Sequence, residues 1–316
     1  MADTLLEVRH LKKYFKTPKG LLHAVDDVNF SIKNGHTLGV VGESGCGKST
    51  LGRTILHLLE PTEGEIYFDG KDISKMNTAA FKESRKQMQI IFQDPYSSLN
   101  PRMTVEDIIM EPLIIFNTYP NAAERKQHVQ KLMDSVGLAA RLARSYPHEL
   151  DGGRRQRIGV ARALALQPKF VVCDEPVSAL DVSIQAQILN LMQDLQEELG
   201  LTYLFITHDL SVVKHISDEI SVMYLGKMVE KCETEELFHN TLHPYTKALL
   251  SAIPIPIPHA AEKRILLKGE LSSPINPKPG CRFAPRCPNA TPACFKQSPE
   301  LHEVSPGHQV ACHLFQ

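Results

Sequence analysis

An α/β fold with a central parallel sheet is predicted for this chain of 316 residues by three observations. Short apolar runs alternate with helical periodicities, one run leads straight into a glycine-rich loop, and another ends in paired carboxylates. The runs Gln89-Ile90-Ile91-Phe92, Phe170-Val171-Val172-Cys173 and Tyr203-Leu204-Phe205-Ile206 show no alternation, the mark of strands covered on both faces.

The elements follow in order. Val28, Phe30 and Ile32 alternate with polar residues, as do residues around Ile66-Tyr67-Phe68 before Asp69-Gly70, so both read as half-buried strands of an antiparallel element. Between them the buried run Thr37-Leu38-Gly39-Val40-Val41 feeds Gly42-Glu43-Ser44-Gly45-Cys46-Gly47-Lys48-Ser49-Thr50. A strand, a loop of this spacing and a following helix make a phosphate loop. Its glycines let successive N–H groups turn inward onto phosphate oxygens, and the helix adds its positive end. The predicted cradle for a nucleoside triphosphate is Gly42, Ser44, Gly45, Cys46, Gly47, Lys48, Ser49 and Thr50, with Lys48 on the β- and γ-phosphates and Ser49 on Mg²⁺.

Farther along, Val129, Leu132, Met133 and Val136 recur at helical spacing. The run Arg154-Arg155-Gln156-Arg157, beside Gly152-Gly153, is expected to order a helix rather than to bind an anion. Asp174 and Glu175 end a buried strand, where a carboxylate is costly unless it faces a cation or a partner. Asp174 is the expected outer ligand of Mg²⁺, and Glu175 the expected general base that polarises the attacking water. Ile184, Ile188, Leu191, Leu195 and Leu199 form a stripe ending at Gly200, read as core packing. His208 ends the next strand, within reach of the γ-phosphate and that water.

Composition bounds the rest. With 42% hydrophobic and 22% charged residues the chain is expected to be globular, with length for one large domain and a smaller one. Its 35 basic against 36 acidic residues, net charge −1, argue against a broad nucleic-acid surface. No stretch approaches the roughly 18 apolar residues of a membrane span, and Met1-Ala2-Asp3-Thr4 opens no signal-peptide pattern. The expectation is a cytosolic chain, or one attached to a membrane only through partners.

Gln93 after a strand, Leu150-Asp151-Gly152-Gly153-Arg154-Arg155-Gln156-Arg157 at a helix start, Asp174-Glu175-Pro176, Ser178-Ala179-Leu180-Asp181 and His208 follow the phosphate loop in this order. Over residues 5 to about 250 the chain thereby resembles the ATP-binding subunits of ABC transporters. The resemblance implies a P-loop NTPase with an antiparallel β subdomain and a helical subdomain at about 96–162, inside a nucleotide-binding domain of residues 1–250. It implies that Gln93 is the Q-loop residue touching Mg²⁺ and sensing the membrane partner, and that Asp181 is the D-loop residue reaching across a dimer. Phe15 resembles the aromatic that stacks on adenine, with Tyr14 as the alternative. Two such domains close head to tail, each ATP lying between one phosphate loop and the other subunit's signature, here Asp151, Gly152 and Gly153. The family signature carries Ser where this chain has Asp151, which exchanges a donor for a negative charge facing the partner's γ-phosphate. Hydrolysis is then expected to be asymmetric and concentrated at Lys48 and Glu175.

Ser97-Ser98-Leu99-Asn100-Pro101, His243-Pro244-Tyr245-Thr246-Lys247-Ala248-Leu249-Leu250 and the tail of residues 251–316 resemble the oligopeptide and dipeptide importer branch. Ile253-Pro254-Ile255-Pro256-Ile257-Pro258 reads as an extended linker to a small appended domain. Four of the seven cysteines lie there, Cys281, Cys287, Cys294 and Cys312, with gaps of five, six and seventeen residues. Reduced thiols at these spacings bind a metal or stay as plain buried thiols. The branch resemblance implies a [4Fe-4S] cluster on them, with Zn²⁺ as the alternative, and His302, His308 and His313 are spare ligands nearby. Cys46, Cys173 and Cys232 read as small apolar residues.

The resulting expectation is an ATPase motor subunit of a peptide importer, peripheral on the cytoplasmic face of the cell membrane. Its expected partners are a second ATP-binding subunit in a heterodimer, two membrane permeases and an external solute-binding protein, with no nucleic acid. The alternatives are a same-branch importer of nickel or another small solute, a soluble non-transport ABC ATPase, and an iron–sulfur redox sensor.

Overall fold

The computed structural model describes residues 4–76, 78–253, 264–267, 269 and 273–316. In chain order the elements are β1 (Thr4–Thr17), β2 (Gly20–Lys33), β3 (Thr37–Val41), α1 (Lys48–Ile55), β4 (Glu63–Phe68), β5 (Lys71–Asp72), α2 (Thr78–Gln87), β6 (Met88–Ile91), α3 (Val105–Ile115), α4 (Ala122–Ser135) and α5 (Gly152–Leu164). Then follow β7 (Phe170–Asp174), α6 (Val182–Leu199), β8 (Thr202–Thr207), α7 (Leu210–Ile216), β9 (Glu219–Tyr224), β10 (Lys227–Glu233), α8 (Thr234–His239), α9 (Pro244–Leu250), β11 (His302–Ser305) and β12 (His308–Val310). The chain divides into two compact units, one of residues 1–32, 37–74 and 205–316, the other of 33–36 and 75–204, with the later boundary inside β8.

The first unit holds the expected antiparallel element as the sheet β2-β1-β4-β5. Leu6 pairs with Phe68 and Val8 with Ile66, all four are in the core, and Glu7 and Tyr67 between them are less buried. In the same unit β3 runs parallel to β9, and β10 is antiparallel to β9 and to β12. Every residue of β3 is buried, as its unbroken apolar run requires. The β9–β10 hairpin turns through Leu225 and Gly226, both left-handed at φ 43° and 87°, the pattern of a primed two-residue turn. The tail belongs to this unit: β12 adds to β10, Leu22 bridges to Ile275, and Asn276 Oδ1 accepts the Leu21 N–H at 2.9 Å. The alternating proline segment expected at 253–258 lies, after Ile253, outside the described residues.

In the second unit β6 and β7 pair in parallel, Met88 to Phe170 through Ile91 to Cys173. All of β7 is buried, whereas Gln89 and Ile90 are only half-buried because β6 ends its sheet. Thr104 and Asp107 form a reciprocal capping box that starts α3. Val129, Leu132, Met133 and Val136 are buried, as their spacing predicts. The stripe on α6 needs a correction: the buried residues are Ile188, Leu189, Met192 and Leu195, while Leu199 is 56% exposed. At 3.6 residues per turn Leu199 returns to within about 20° of Ile188, so it is its place as the last residue of the helix, and not its azimuth, that leaves it in solvent. Gly200 closes the helix in the left-handed conformation at φ 65°.

This difference in burial predicts unequal truncations. Ile188→Ala is expected to lower stability by about 2–5 kcal/mol in chemical denaturation, and Leu199→Ala to change it by less than about 0.5 kcal/mol.

Candidate functional site

Strand β3 delivers the phosphate loop, and backbone geometry shapes it. Gly47 precedes α1 at φ 109°, and a Cβ there would sit 2.0 Å from the Ala24 carbonyl oxygen, so only glycine fits. Lys48 is 4% exposed, and its Nζ donates to the Gly42 oxygen at 2.8 Å and the Glu43 oxygen at 3.2 Å. Those carbonyls stabilise an ammonium that burial would otherwise make costly. Cys46 is buried beside Lys48, and burial pushes its thiol pKa up. No side chain caps α1, and a Cβ at Gly45 would meet nothing within 4 Å. An open loop of amides at a helix N-terminus with a poised lysine fits a triphosphate. From behind, the Gly226 N–H donates to the Cys46 oxygen at 2.8 Å and the Glu43 N–H to the Tyr245 hydroxyl at 2.9 Å.

The same unit carries Phe15, His208 and the four tail cysteines. Tyr14 stacks on His23 with centroids 3.9 Å apart and donates its hydroxyl to Asp26. Phe15 is half-buried, with Lys13 Nζ 4.9 Å from its ring centroid. His208 directly follows β8 and is exposed.

In the second unit the Gln93 amide donates to Glu175 Oε2 at 2.9 Å, joining two predicted residues 82 positions apart. Asp174 is 1% exposed at the end of β7, and Glu175 turns the chain sharply at φ 47°. The Ser178 N–H and hydroxyl both donate to the Glu175 carbonyl oxygen, which holds that turn. Helix α5 begins at the predicted signature. A Cβ on Gly153 would lie 2.7 Å from Ile184, so α5 needs glycine for this approach to α6. Arg155 donates to the Pro147 oxygen at 2.7 Å and Arg157 to the Val136 oxygen at 2.6 Å, while Gln156 is buried. The basic run orders its helix, as expected.

Asp151 differs from the bare charge expected of it. Its Oδ1 accepts the Arg154 N–H at 2.8 Å as the N-cap of α5, and its Oδ2 lies 3.1 Å from the Arg154 guanidinium. Capping is a role Ser fills equally, and the arginine offsets the charge, which weakens the physical basis for asymmetric hydrolysis. Asp181 is the N-cap residue of α6, with no side-chain cap bond.

The four tail cysteines influence one another electrostatically. The Cys281 N–H donates to the Cys294 oxygen at 2.7 Å, and Thr291 Oγ1 lies 3.3 Å from Cys294 Sγ. Burial pushes the Cys281 thiol up to about 11, helped by Cys294 and Cys312. Burial likewise raises Cys287, with Cys294 adding to it, and Cys312, with Cys287 and Cys294 adding to it. Thiols fit a thiophilic metal in kind, yet among the described residues no group of three or more His, Cys, Asp or Glu stands ready to hold a metal ion. The histidines are engaged elsewhere: His302 with the Glu300 and Phe315 carbonyls, His313 with the Gln297 carbonyl, and His308 with Glu230 at 2.9 Å and Glu236 at 3.3 Å. Cys46, Cys173 and Cys232 are buried as expected. Sequence reasoning missed Tyr245, Arg282 and Arg286, whose partners lie up to 256 positions away; two arginines between cysteines were the available signal.

Comparison with known proteins agrees with this geometry. The profile described as ABC transporter matches residues 25–178, and that described as oligopeptide/dipeptide transporter, C-terminal region, matches 229–294. An oligopeptide transport ATP-binding protein of Bacillus subtilis (strain 168) is 56% identical over 99% of this chain and 98% of its own length. A dipeptide transport ATP-binding protein of Haemophilus influenzae is 53% identical over 98% and 96%. A solved dimeric ATP-binding cassette in a post-hydrolysis state with ADP and Pi superposes with TM-score 0.66 at 30% identity, covering 72% of this chain and 98% of that one. No helix among the described residues is long and apolar enough to cross a membrane.

His308 gives the site's surroundings a pH dependence. Its hydrogen bond to Glu230, reinforced by Glu236 and opposed by burial, raises its pKa above the ordinary value near 6.5. The stabilisation is therefore complete below about pH 6.5 and is lost as pH rises through the raised value. Thermal unfolding should show the wild-type protein losing stability across that window and His308→Gln losing this slope.

Proposed function

Because this chain belongs to the ATP-binding subunits of ABC transporters, in the oligopeptide and dipeptide branch, we propose that it is the ATP-hydrolysing motor of a peptide importer, working at the cytoplasmic face of the membrane. It pairs with a second ATP-binding subunit on two permeases that receive peptides from an external solute-binding protein. The observation that carries this reading is the match over nearly the whole chain, C-terminal region included, whereas the solved cassette reaches only 72% of it.

In the proposed cycle Phe15 stacks on adenine and Gly42, Ser44, Gly45, Cys46, Gly47 and Thr50 enclose the phosphates. Lys48 leaves its carbonyl partners for the β- and γ-phosphates, and Ser49, Gln93 and Asp174 serve Mg²⁺. Glu175 accepts the proton of the attacking water, with His208 beside the γ-phosphate. The Gln93 hydrogen bond supports this role, since a glutamine that releases Glu175 when it turns to the metal would time the base to nucleotide binding. Asp151, Gly152 and Gly153 contact the partner's nucleotide, and Asp181 the partner subunit. Residues 96–162 form the helical subdomain that meets a permease, and residues 251–316 the extension. Closure then moves the permease.

The cysteines Cys281, Cys287, Cys294 and Cys312 would hold a [4Fe-4S] cluster in this reading, with Zn²⁺ as the competing occupant; what supports it is the thiophilic chemistry of four cysteines in the tail. Such a group would tie four chain segments together, a folding role rather than a catalytic one.

Glu175→Gln in the assembled importer should keep ATP binding and lower hydrolysis by about 10²- to 10⁴-fold, because an amide cannot take the proton. Unchanged turnover would remove Glu175 from the mechanism. For the cluster, iron and zinc are counted in anaerobically purified protein. Cys281→Ser or Cys294→Ser should abolish a visible iron–sulfur absorbance and make the tail protease-sensitive with ATP binding retained; stoichiometric zinc without iron would establish the other metal.

A further inference from the structure

Glu43, the second residue of the phosphate loop, is the loop's one acidic side chain, and it is gripped from the tail. Arg286 donates to it twice, Nη1 to Oε2 at 2.7 Å and Nη2 to Oε1 at 3.1 Å, a fork on a carboxylate from 243 positions away. The pair is largely sheltered, the side chains being 11% and 28% exposed. Arg286 also reaches the Tyr224 hydroxyl at 3.5 Å, and Tyr224 packs edge-on against Tyr245 and Phe283. Tyr245 takes the Glu43 N–H, and the Glu43 carbonyl takes Lys48 Nζ. One residue is thus bound at its side chain by the cysteine lobe, at its N–H by α9 and at its C=O by the lysine that the triphosphate needs.

Arg286 lies in a single helical turn, Ala284–Arg286, directly before Cys287. Four residues earlier Arg282 bonds Asp26 and the Leu225 carbonyl, so the segment Cys281–Cys287 is fixed by two arginines to the frame that carries the loop. A carboxylate left unpaired in the loop would add its negative charge to those of the phosphates, and a loop free to bend would lose the convergence of its amides. The guanidinium removes both difficulties.

We propose that Arg286 is a positioning residue for ATP: by holding and neutralising Glu43 it sets the phosphate loop, and it thereby couples ATP binding to the order of the Cys281–Cys287 segment. Because coupling is reciprocal, ATP must steady that segment as much as the segment favours ATP. The inference rests on the ATP-binding activity of the family and not on the identity of any metal in the lobe.

The test uses the full chain assembled with its transporter partners. Arg286→Ala should raise KM for ATP by about 3- to 10-fold, the loss expected for a forked, charge-assisted pair, while kcat changes by less than about 2-fold. Arg286→Lys should recover part of this. Arg286→Ala combined with Glu43→Ala should bind ATP better than Arg286→Ala alone, since the released carboxylate is then absent. Hydrogen exchange over residues 281–287 should slow when a non-hydrolysable ATP analogue is added to the wild-type protein, and not in Arg286→Ala. An unchanged KM, or losses that simply add, would overturn the proposal while leaving ATP binding by the wild-type protein as it is. If Arg286→Ala disrupts the lobe, Glu43→Gln, which alters no lobe residue, should by itself speed exchange over 281–287, and unaltered exchange there would overturn the proposal too.

Discussion

The two left-handed residues Leu225 and Gly226 are the constraint on which the nucleotide-binding unit depends. Their turn offers three backbone groups, and each holds a different part of the chain: Gly226 N–H the phosphate loop through Cys46, Gly226 C=O the Asp26 amide, and Leu225 C=O the Arg282 guanidinium. A two-residue turn has little freedom to adjust, because the pairing of Tyr224 with Lys227 fixes both its ends. The loop's curvature is therefore dictated by a hairpin far from it in sequence. Crowding enforces this further, since a side chain at Gly226 would lie 2.5 Å from the His23 carbonyl.

How much of this was legible in the sequence depended on the range of the interaction. Local chemistry was readable: the strand before the loop, the glycines, the end of α6 at Gly200 and the buried carboxylate at Asp174 all follow from neighbouring residues. The order of the motifs gave the family, and the full-length match agrees with it. The stripe of α6 was read with an error because periodicity reports azimuth and not cover: Leu199 shares the azimuth of the buried residues but stands at the last position of the helix, in solvent. Asp151 was read as a charge when its first task is to cap a helix, a role that its place before Gly152 already announced. The arginine contacts of the tail were illegible, for no periodicity relates Arg286 to Glu43 or Arg282 to Asp26.

Glu230 shows how a polar core can be made consistent. Its carboxylate is fully buried on β10, and it accepts the Leu242 N–H at 2.7 Å, the His243 N–H at 3.1 Å and the His308 ring at 2.9 Å. Each carboxylate oxygen has a donor, which is the condition under which a buried carboxylate is tolerated. The three donors come from the start of α9 and from β12, so one side chain specifies where two distant segments must lie. His243 is itself buried and pushed down to about 4, chiefly by burial, so it stays a neutral cap for α9 at Tyr245.

The pairing of β12 with β10 has a consequence for shorter relatives of this chain. With β9 along one side of β10, β12 covers the other side at Glu230 and Lys231. A chain that stopped after α9 would leave that stretch bare, with a Glu230 deprived of its imidazole partner. Exposed edges of this kind recruit strands from other molecules. The C-terminal extension thus shields part of an edge that a cassette ending after α9 must manage with a charge, a bulge or a partner strand.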